Sequence, residues 1–261
     1  MLSTNNKSKS INPYLFGLYQ INSRFLWDIQ IESWLSRKKL KQLSNRYAGQ
    51  KAVIVCNGPS LLQTNFSLLE GVFTFGLNKI NLLFDKSDFR PSCIVAINDF
   101  VLEQNADFYN KTDIQLFIKY KAASFIKPRP NIIFLHSCTQ YKFAQDCSMS
   151  MNLGPTVTFT AMELAFHMGF SEVALIGCDH NFTSKGISNQ IVTSDGKDKN
   201  HFDPNYFADG AKWQLPDLAA SENYYTLAYE TFIQQGRKLF NATEGGNLEI
   251  YPRVSLQEFL K

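Results

Sequence analysis

Cysteine is scarce in this sequence, and the cysteines that occur show no pairing pattern. Five cysteines are found in 261 residues, an odd number without CxxC spacing, and Cys56, Cys93 and Cys178 lie inside apolar runs. A free thiol in such a run behaves as a small hydrophobic side chain. The pattern argues against a disulfide framework and predicts a reducing, cytoplasmic compartment.

Long hydrophobic runs are also missing. No stretch reaches the roughly 18 to 20 consecutive apolar residues of a membrane span. The first residues, MLSTNNKSKSINPY, lack the apolar run and the small-residue cleavage site of a secretory signal. We therefore expect a soluble or peripherally bound protein.

Neither sign of charge is in large excess. The chain has 26 Lys and Arg against 23 Asp and Glu, a net charge of +3. This is too small for a protein whose main partner is a phosphate backbone, so nucleic acid is not an expected ligand. With 44% hydrophobic and 19% charged residues, the chain can bury the core of one domain with an appendage, which excludes a disordered or fibrous protein.

Residues 1–50 differ in pattern from the rest and predict a helical N-terminal arm. Apolar residues recur near helical spacing and are followed by a basic group; they are Leu15, Leu18, Phe25, Leu26, Ile29, Trp34 and Leu35, then Arg37, Lys38, Lys39, Lys41 and Arg46. One interpretation is a helix packed on the main domain with a solvated basic end. The other is a peripheral contact with the inner face of a membrane, or an oligomer contact.

From Lys51 onward, short apolar runs alternate with turn residues and helical segments. The runs that predict buried strands are 52–56, 72–77, 93–97, 114–118, 131–135, 172–177 and 237–240. Helical spacing is clearest at 158–168 and 221–235. Strands that alternate with helices predict an α/β fold with a mainly parallel sheet flanked by helices, here over residues 51–261. The irregular stretch 183–218 is expected to be a lid or a binding loop.

Polar residues follow nearly every predicted strand, at the edge where such sheets bind ligands. They are Asn57-Gly58-Pro59-Ser60, Asn78, Asn98-Asp99, His136-Ser137 and Asp179-His180. The first group suits close approach of backbone to a phosphate or sugar, although it is also an ordinary turn. GxGxxG and GK[ST] spacings are absent, which argues against a nicotinamide enzyme or a Walker-type kinase.

Two further groups of residues are candidates for chemistry. Thr156 stands at a predicted helix start that could hold an anion or nucleotide, or could simply cap the helix. Asp179-His180 and His201-Phe202-Asp203 place imidazoles and carboxylates where they could converge as a general base or as cation ligands. Structural histidines are the alternative, and His136 and His167 are weaker candidates.

Several segments resemble the bacterial family commonly labelled hydroxymethylpterin pyrophosphokinase-like. They are TVTFTAMELAFHMGFSEVALIGCDHNF (156–182), HFDPNYF (201–207), GRKLFNAT (236–243), Gly245-Gly246 and Pro252-Arg253-Val254. That family also resembles the catalytic domain of the flagellin-modifying motility accessory factors. More distantly, the Asn57 loop and the Gly169–Asp179 segment are similar to family 42 bacterial sialyltransferases. The resemblance covers roughly residues 51–254.

The resemblance implies a Rossmann-like domain that binds a CMP-sugar as donor substrate, with no tightly bound cofactor. The residues that it assigns to the nucleotide and sugar are Asn57, Gly58, Pro59, Ser60, Asn78, Asn98 and Thr156. The sialyltransferase base lies just before the helix that matches 221–235; the nearest histidine here is His201. Tyr206 is the counterpart of tyrosines that steady the leaving phosphate, and Asp179 with His180 completes the catalytic set.

The predicted function is transfer of a sugar, a sialic acid-like nonulosonic acid, from its CMP ester to a glycan acceptor in surface polysaccharide biosynthesis. His201 or His180 would accept the proton of the attacking hydroxyl. An alternative is a Mg²⁺-dependent 6-hydroxymethylpterin diphosphokinase with Asp179, His180, His201 or Asp203 as metal ligands. A third is a non-catalytic binding module of an envelope-assembly complex. A homo-oligomer is compatible with each of them.

Overall fold

The central element is a parallel sheet of seven strands. The computed structural model describes residues 12–138, 140–182 and 186–261. Its strands are, in chain order, β1 (Lys51–Val55), β2 (Phe73–Leu77), β3 (Cys93–Ala96), β4 (Gln115–Lys119), β5 (Ile132–Leu135), β6 (Glu172–Ile176), β7 (Ile191–Thr193), β8 (Lys212–Gln214) and β9 (Lys238–Asn241). All but β7 and β8 join the sheet, in the order β5-β4-β3-β2-β1-β6-β9. The seven apolar runs predicted as strands are these seven, so the α/β prediction is confirmed.

The strand order fixes where a ligand is expected to bind. The chain builds the sheet outward from β1 to β5, then returns and places β6 on the other side of β1. The direction of winding therefore reverses between β1 and β6. In sheets of this kind the crevice beyond the carboxyl ends of those two strands is the usual binding site.

Helices cover both faces of the sheet. They are α1 (Pro13–Asp28), α2 (Ile31–Leu43), α3 (Asp99–Gln104), α4 (Ala106–Tyr109), α5 (Val157–His167), α6 (Leu218–Gln234) and α7 (Leu256–Leu260). The strand residues alternate between two cores: Ile54, Phe75 and Val95 pack with α5 and α6, whereas Val53 and Val55 face the opposite side. This period of two follows from the pleat of the strands.

The N-terminal arm consists of α1 and α2, and its residues 1–11 lie outside the described part of the chain. Helix α2 packs along the edge strand β5, where the Phe134 amide donates to the Ser36 hydroxyl (3.0 Å). Trp27, at the end of α1, is 2% exposed. Across the described residues, every helix falls short of the length and hydrophobicity that crossing a membrane requires.

The stretch 183–218, expected to be an irregular loop, contains an antiparallel hairpin. Strands β7 and β8 pair in the register Ile191 to Gln214. The residues that follow β7 turn inward, and Phe202 and Tyr206 are among the most buried side chains. Because these large aromatic rings are buried, much of this stretch belongs to the core on the side of the sheet that Val53 and Val55 face.

Candidate active site

A cavity opens beyond the carboxyl ends of β1 and β6, at the position that the strand order indicates. Its volume is about 170 Å³, and it is partly open to solvent. Eight of the residues predicted from sequence line it: Asn57, Gly58, Asn78, Thr156, Asp179, His180, His201 and Tyr206. Positions scattered over 150 residues of sequence thus converge on one site.

The loop after β1 is locked to the loop after β6. The Ser60 hydroxyl donates to Asp179 Oδ2 (2.7 Å), and the Ser60 amide lies 3.3 Å from Asp179 Oδ1. The Gly58 amide donates to the Gly177 carbonyl (2.8 Å). A Cβ atom at Gly58 would stand 1.8 Å from Asp179 Oδ2. Ser60 therefore holds Asp179, which lines the cavity, whereas Ser60 itself lies outside the lining.

The two asparagines after β1 and β2 hold the strand ends and face the cavity. Asn57 Nδ2 donates to the Leu77 carbonyl (2.9 Å), while Asn57 Oδ1 is buried and meets no hydrogen-bond partner among the described residues. Asn78 has a φ of 47°, a left-handed conformation that asparagine tolerates better than most residues. Its carbonyl accepts from the Tyr109 hydroxyl (2.9 Å). A ligand that donates a hydrogen bond would satisfy the free Asn57 oxygen.

His201 is fixed in orientation by a carboxylate. Its Nδ1 donates to Asp198 Oδ2 (2.8 Å), and its ring stacks on Tyr206 with 3.9 Å between the centroids. Burial acts to raise the pKa of Asp198, but hydrogen bonds from His201 and nearby amides outweigh it, so that pKa is lowered. An ionised carboxylate on Nδ1 leaves Nε2 as the basic nitrogen, the arrangement of an oriented general base.

His180 forms a second histidine and carboxylate pair. Its Nε2 donates to Glu222 Oε1 on α6 (2.9 Å). The two pairs differ in burial, because the Glu222 side chain is 55% exposed whereas that of Asp198 is 4% exposed. An exposed carboxylate is screened by water and orients its partner less firmly. His201 is therefore the better held of the two imidazoles.

Tyr206 forms the floor beneath His201. The residue is 1% exposed, and its hydroxyl is buried beside the Asn78 carboxamide. Burial raises the pKa of Tyr206, so that the phenol stays protonated. Behind it the Lys79 ammonium donates to the Tyr206 carbonyl (2.6 Å) and to Gln104 Oε1 (2.7 Å). Burial lowers the pKa of Lys79 to about 8, although Asp198 opposes that shift.

Helix α5 begins at the cavity wall. Thr156, Val157 and Thr158 line the cavity at the first turn of this helix. The Thr156 hydroxyl accepts from the Phe159 amide (3.2 Å), so it caps the helix, one of the two interpretations of the sequence. The amino end of a helix carries partial positive charge, which favours an anion at this end of the cavity.

The remaining predicted residues lie outside the cavity. Pro59 begins a short 3-10 helix, Pro59–Gln63, and does not line the cavity. Asn98 caps α3 through the Val101 amide and lines an adjoining depression with Asn78. Asp203, expected to converge with His201 and Asp179, instead binds the Lys86 ammonium (2.6 Å). Within the described ranges, no three His, Cys, Asp or Glu side chains come together as a cation site.

The other two histidines have structural roles. His167 is 3% exposed; its Nε2 donates to the Leu40 carbonyl (2.8 Å), and its Nδ1 accepts from the Cys147 amide. His136 stacks on Trp27, and burial, with the nearby Arg24, lowers the pKa of His136 to about 4. The His136 imidazole is therefore neutral near pH 7 in its packing site.

Sequence reasoning did not identify Asp198, Glu222 or Lys79. Asp198 precedes His201 by three residues, and this spacing was the only local sign of their contact. Glu222 lies 42 residues after His180 on a helix that carries several polar residues, so nothing in the sequence marks it. Lys79 directly follows Asn78 and turns away from the cavity toward Gln104.

Comparisons with known proteins agree with this architecture. A model of the family described as "6-hydroxymethylpterin diphosphokinase MptE-like" matches residues 29–185. A solved structure, a MAf glycosyltransferase from Magnetospirillum magneticum AMB-1, superimposes with a TM-score of 0.52 at 15% identity. The superposition covers 87% of this chain and 38% of that one. At this identity it shows a shared fold. A search of curated proteins found no match.

Proposed function

This chain belongs to the 6-hydroxymethylpterin diphosphokinase MptE-like family, and from that premise and the cavity we propose that it is a glycosyltransferase. The fold neighbour is itself named a glycosyltransferase. The donor that we propose is the CMP ester of a sialic acid-like nonulosonic acid. The acceptor is a glycan of a surface polysaccharide, and the reaction takes place on the cytoplasmic side.

The observation that carries this proposal is the free Asn57 Oδ1 in the cavity wall. A buried amide oxygen without a partner carries a desolvation cost that a bound hydrogen-bond donor relieves. The exocyclic amine of cytosine and the hydroxyls of a sugar are such donors. The amino end of α5, on the same cavity, supports a site for the phosphate of the same ligand.

The chemistry assigned to His201 is that of a general base. The acceptor hydroxyl oxygen would form a bond to the anomeric carbon of the donor while the bond from that carbon to the phosphate oxygen breaks. The electron pair of the broken bond leaves with CMP, and the proton of the hydroxyl passes to His201 Nε2. Asp198 would stabilise the imidazolium that results, because its carboxylate already accepts from Nδ1.

The family's printed description supports a second candidate, transfer of diphosphate to 6-hydroxymethylpterin. The carboxylates assigned to magnesium in that case are engaged elsewhere, Asp179 by Ser60 and Asp203 by Lys86. The four residues assigned to the metal do not form one ligand set within the described part of the chain. The glycosyltransferase is therefore the function that the cavity supports better.

A thermal-shift panel of CMP, CDP, UDP, GDP and ATP tests the proposal, since a ligand that binds the folded state raises the melting temperature. We expect CMP to give the largest shift and Asn78→Gly to reduce it. Glycine suits the positive φ at this position and removes the side chain with its carboxamide.

Different results separate the alternatives. A clear preference for ATP, strengthened by Mg²⁺, would favour the diphosphokinase. No response to any nucleotide, together with no turnover of a CMP-sugar, would indicate the non-catalytic binding module. If the Asn78→Gly protein binds CMP with the same affinity as the parent, Asn78 does not belong to the ligand site.

A further inference from the structure

Apolar side chains are exposed in one part of the molecule far more than elsewhere. Of the 19 large hydrophobic residues that are exposed among those described, 12 lie between Tyr14 and Leu35. They include Leu18 at 62%, Ile21 at 68% and Trp34 at 71% exposure. So many exposed apolar side chains within one short part of the chain are uncommon on an isolated soluble domain, and such a concentration marks an interaction site.

The exposed residues of α1 form a broad apolar face. Tyr14, Leu18, Ile21 and Phe25 follow one another at spacings of four, three and four residues, which places them on one side of the helix. Leu15, Tyr19 and Leu26 extend this face around the helix, and all seven are exposed. The opposite side meets the domain through the buried Trp27. The apolar face therefore points away from the protein's own core.

The charge of the chain is divided unevenly between arm and domain. Residues 1–50 hold eight Lys and Arg but only Asp28 and Glu32 as acids, a net charge of +6. Because the whole chain carries +3, residues 51–261 carry −3. Asp28 is paired with both Arg24 and Arg37. Lys38 and Lys41 are exposed and share a surface groove with Trp34.

We propose that the arm, α1 with α2, binds the surface of a bilayer that contains anionic lipids. The apolar face of α1 enters the boundary between headgroups and acyl chains, and Lys38 and Lys41 contact the lipid phosphates. Aromatic residues such as Tyr14, Tyr19 and Trp34 suit that boundary. A second copy is a poorer occupant of the face, because it would bring together two copies of residues 1–50, each with a net charge of +6.

The arm packs at the end of the sheet where the carboxyl ends of the strands lie, which is the same end at which the cavity opens. Trp27 packs 4.4 Å from Tyr120 and 5.8 Å from His136, measured between ring centroids. Those residues directly follow β4 and β5, so they lie at the carboxyl ends of the strands. The inference rests on the arm alone and is independent of the reaction proposed above.

Vesicle co-sedimentation of the full chain tests this inference. The vesicles are phosphatidylcholine alone, or phosphatidylcholine and phosphatidylglycerol at about seven to three. Leu18→Glu/Ile21→Glu removes the apolar face, and Lys38→Glu/Lys41→Glu reverses the charge. The matched controls are Ile191→Glu/Ile233→Glu, at 57% and 50% exposure, and Lys111→Glu/Lys127→Glu, both exposed. Circular dichroism checks that each variant is folded.

We expect binding to anionic vesicles to exceed binding to neutral ones by at least about tenfold and to weaken with salt. Each arm variant should lose at least about tenfold in binding, while both controls match the parent. Absence of vesicle binding, or equal losses in arm and control variants, would overturn the inference. So would a parent dimer in light scattering that Leu18→Glu/Ile21→Glu dissociates without any vesicle binding, because a second copy would then cover the face.

Discussion

At the residue scale, the site depends on contacts between positions far apart in sequence. Asn57-Gly58-Pro59-Ser60 could be predicted as a turn at a strand end; in the structure the chain bends at Gly58 and begins a 3-10 helix at Pro59. The reason that Gly58 must be glycine could not be predicted, because the atom that leaves no room for a side chain belongs to Asp179, 121 residues later. Local propensity is enough to predict a change of chain direction here, but packing against distant residues decides which amino acids fit at each position.

Gly58→Ala should destabilise the protein. The added Cβ would stand 1.8 Å from Asp179 Oδ2 and 2.7 Å from the Gly177 carbonyl oxygen, so the two loops must separate. We expect the free energy of unfolding to fall by about 1 to 3 kcal/mol, measured by urea denaturation. Gly196→Ala, where no atom of the described residues lies within 4 Å of the new Cβ, is the control and should change little. Equal effects would mean that the loops adjust freely.

His201→Ala should slow transfer by about 10² to 10⁴ with donor affinity nearly unchanged, because a general base acts on the acceptor proton. Asp198→Asn should slow it less, since the imidazole remains but loses the ionised partner on Nδ1. Steady-state kinetics with a CMP-sugar, together with calorimetric binding of CMP, measures the two quantities separately.

His180→Ala is the matched comparison for this test. Its partner Glu222 is largely exposed, so His180 is the less firmly oriented imidazole. We expect a smaller rate loss than for His201→Ala. A larger loss at His180 would assign the base to that residue, and a loss under about tenfold at both would remove histidine from the mechanism.

At the element scale, helix α5 shows what a pattern of apolar residues can and cannot establish. The sequence predicted the helix at 158–168, and the structure places it at Val157–His167. All but the first of its residues are buried, including Glu163 at 0% exposure. The buried Glu163 carboxyl group is contacted by the segment before the helix, where the Ala144 amide donates to Glu163 Oε1 (2.6 Å). A helical pattern does not reveal that a charged side chain points inward.

Glu163→Gln should change how stability depends on pH. Burial raises the pKa of Glu163 well above its ordinary value of 4.5, although the Ala144 amide opposes that shift. The folded chain then retains a proton that the unfolded chain releases, so the free energy of unfolding falls as pH rises above 4.5 toward the folded pKa. Glutamine keeps the oxygen that accepts from Ala144 and does not ionise.

We expect the variant to lose less stability than the parent between about pH 5 and pH 8, by at least about 1 kcal/mol. Urea denaturation at both pH values measures the difference. Glu249→Gln, on an exposed residue, is the control. Parallel pH profiles for the Glu163→Gln protein and the parent would show that Glu163 has the same pKa in both states.

The hairpin of β7 and β8 is one element that sequence reasoning missed, as it missed the short helices α3, α4 and α7. Each strand has three residues, too few for a period of two to stand out in a polar stretch. Trp213 of β8 and the adjacent Leu215 are buried, and their burial stabilises the hairpin. They pack in the core on the side of the sheet that Val53 and Val55 face, and that core is built from residues throughout the chain. Whether this stretch closes over a ligand remains a prediction.

At the scale of the whole molecule, the sequence was sufficient to predict the fold class but not the strand order. Apolar runs identify strands one at a time, whereas the position of β6 beside β1 depends on which crossover packs best over the sheet. The candidate residues could be predicted because they follow strands, and parallel strands bring their carboxyl ends to one edge. Glu222, which follows no strand, could not be predicted in that way.

The division of the chain into arm and domain can be tested by truncation. No residue described between positions 12 and 22 is fully buried, whereas Trp27 and Leu40 are 2% and 3% exposed. Removal of residues 1–22 should therefore shift the melting temperature by less than about 3 °C. Removal of residues 1–50 also takes away Trp27, Leu40 and the Ser36 hydroxyl that accepts from the Phe134 amide of β5. This removal should lower the melting temperature by more than about 10 °C.

Scanning calorimetry of both truncated proteins distinguishes the two cases. Equal losses would mean that the first half of α1 stabilises the domain directly, and an unchanged melting temperature in the shorter protein would mean that β5 does not need α2 as its cover.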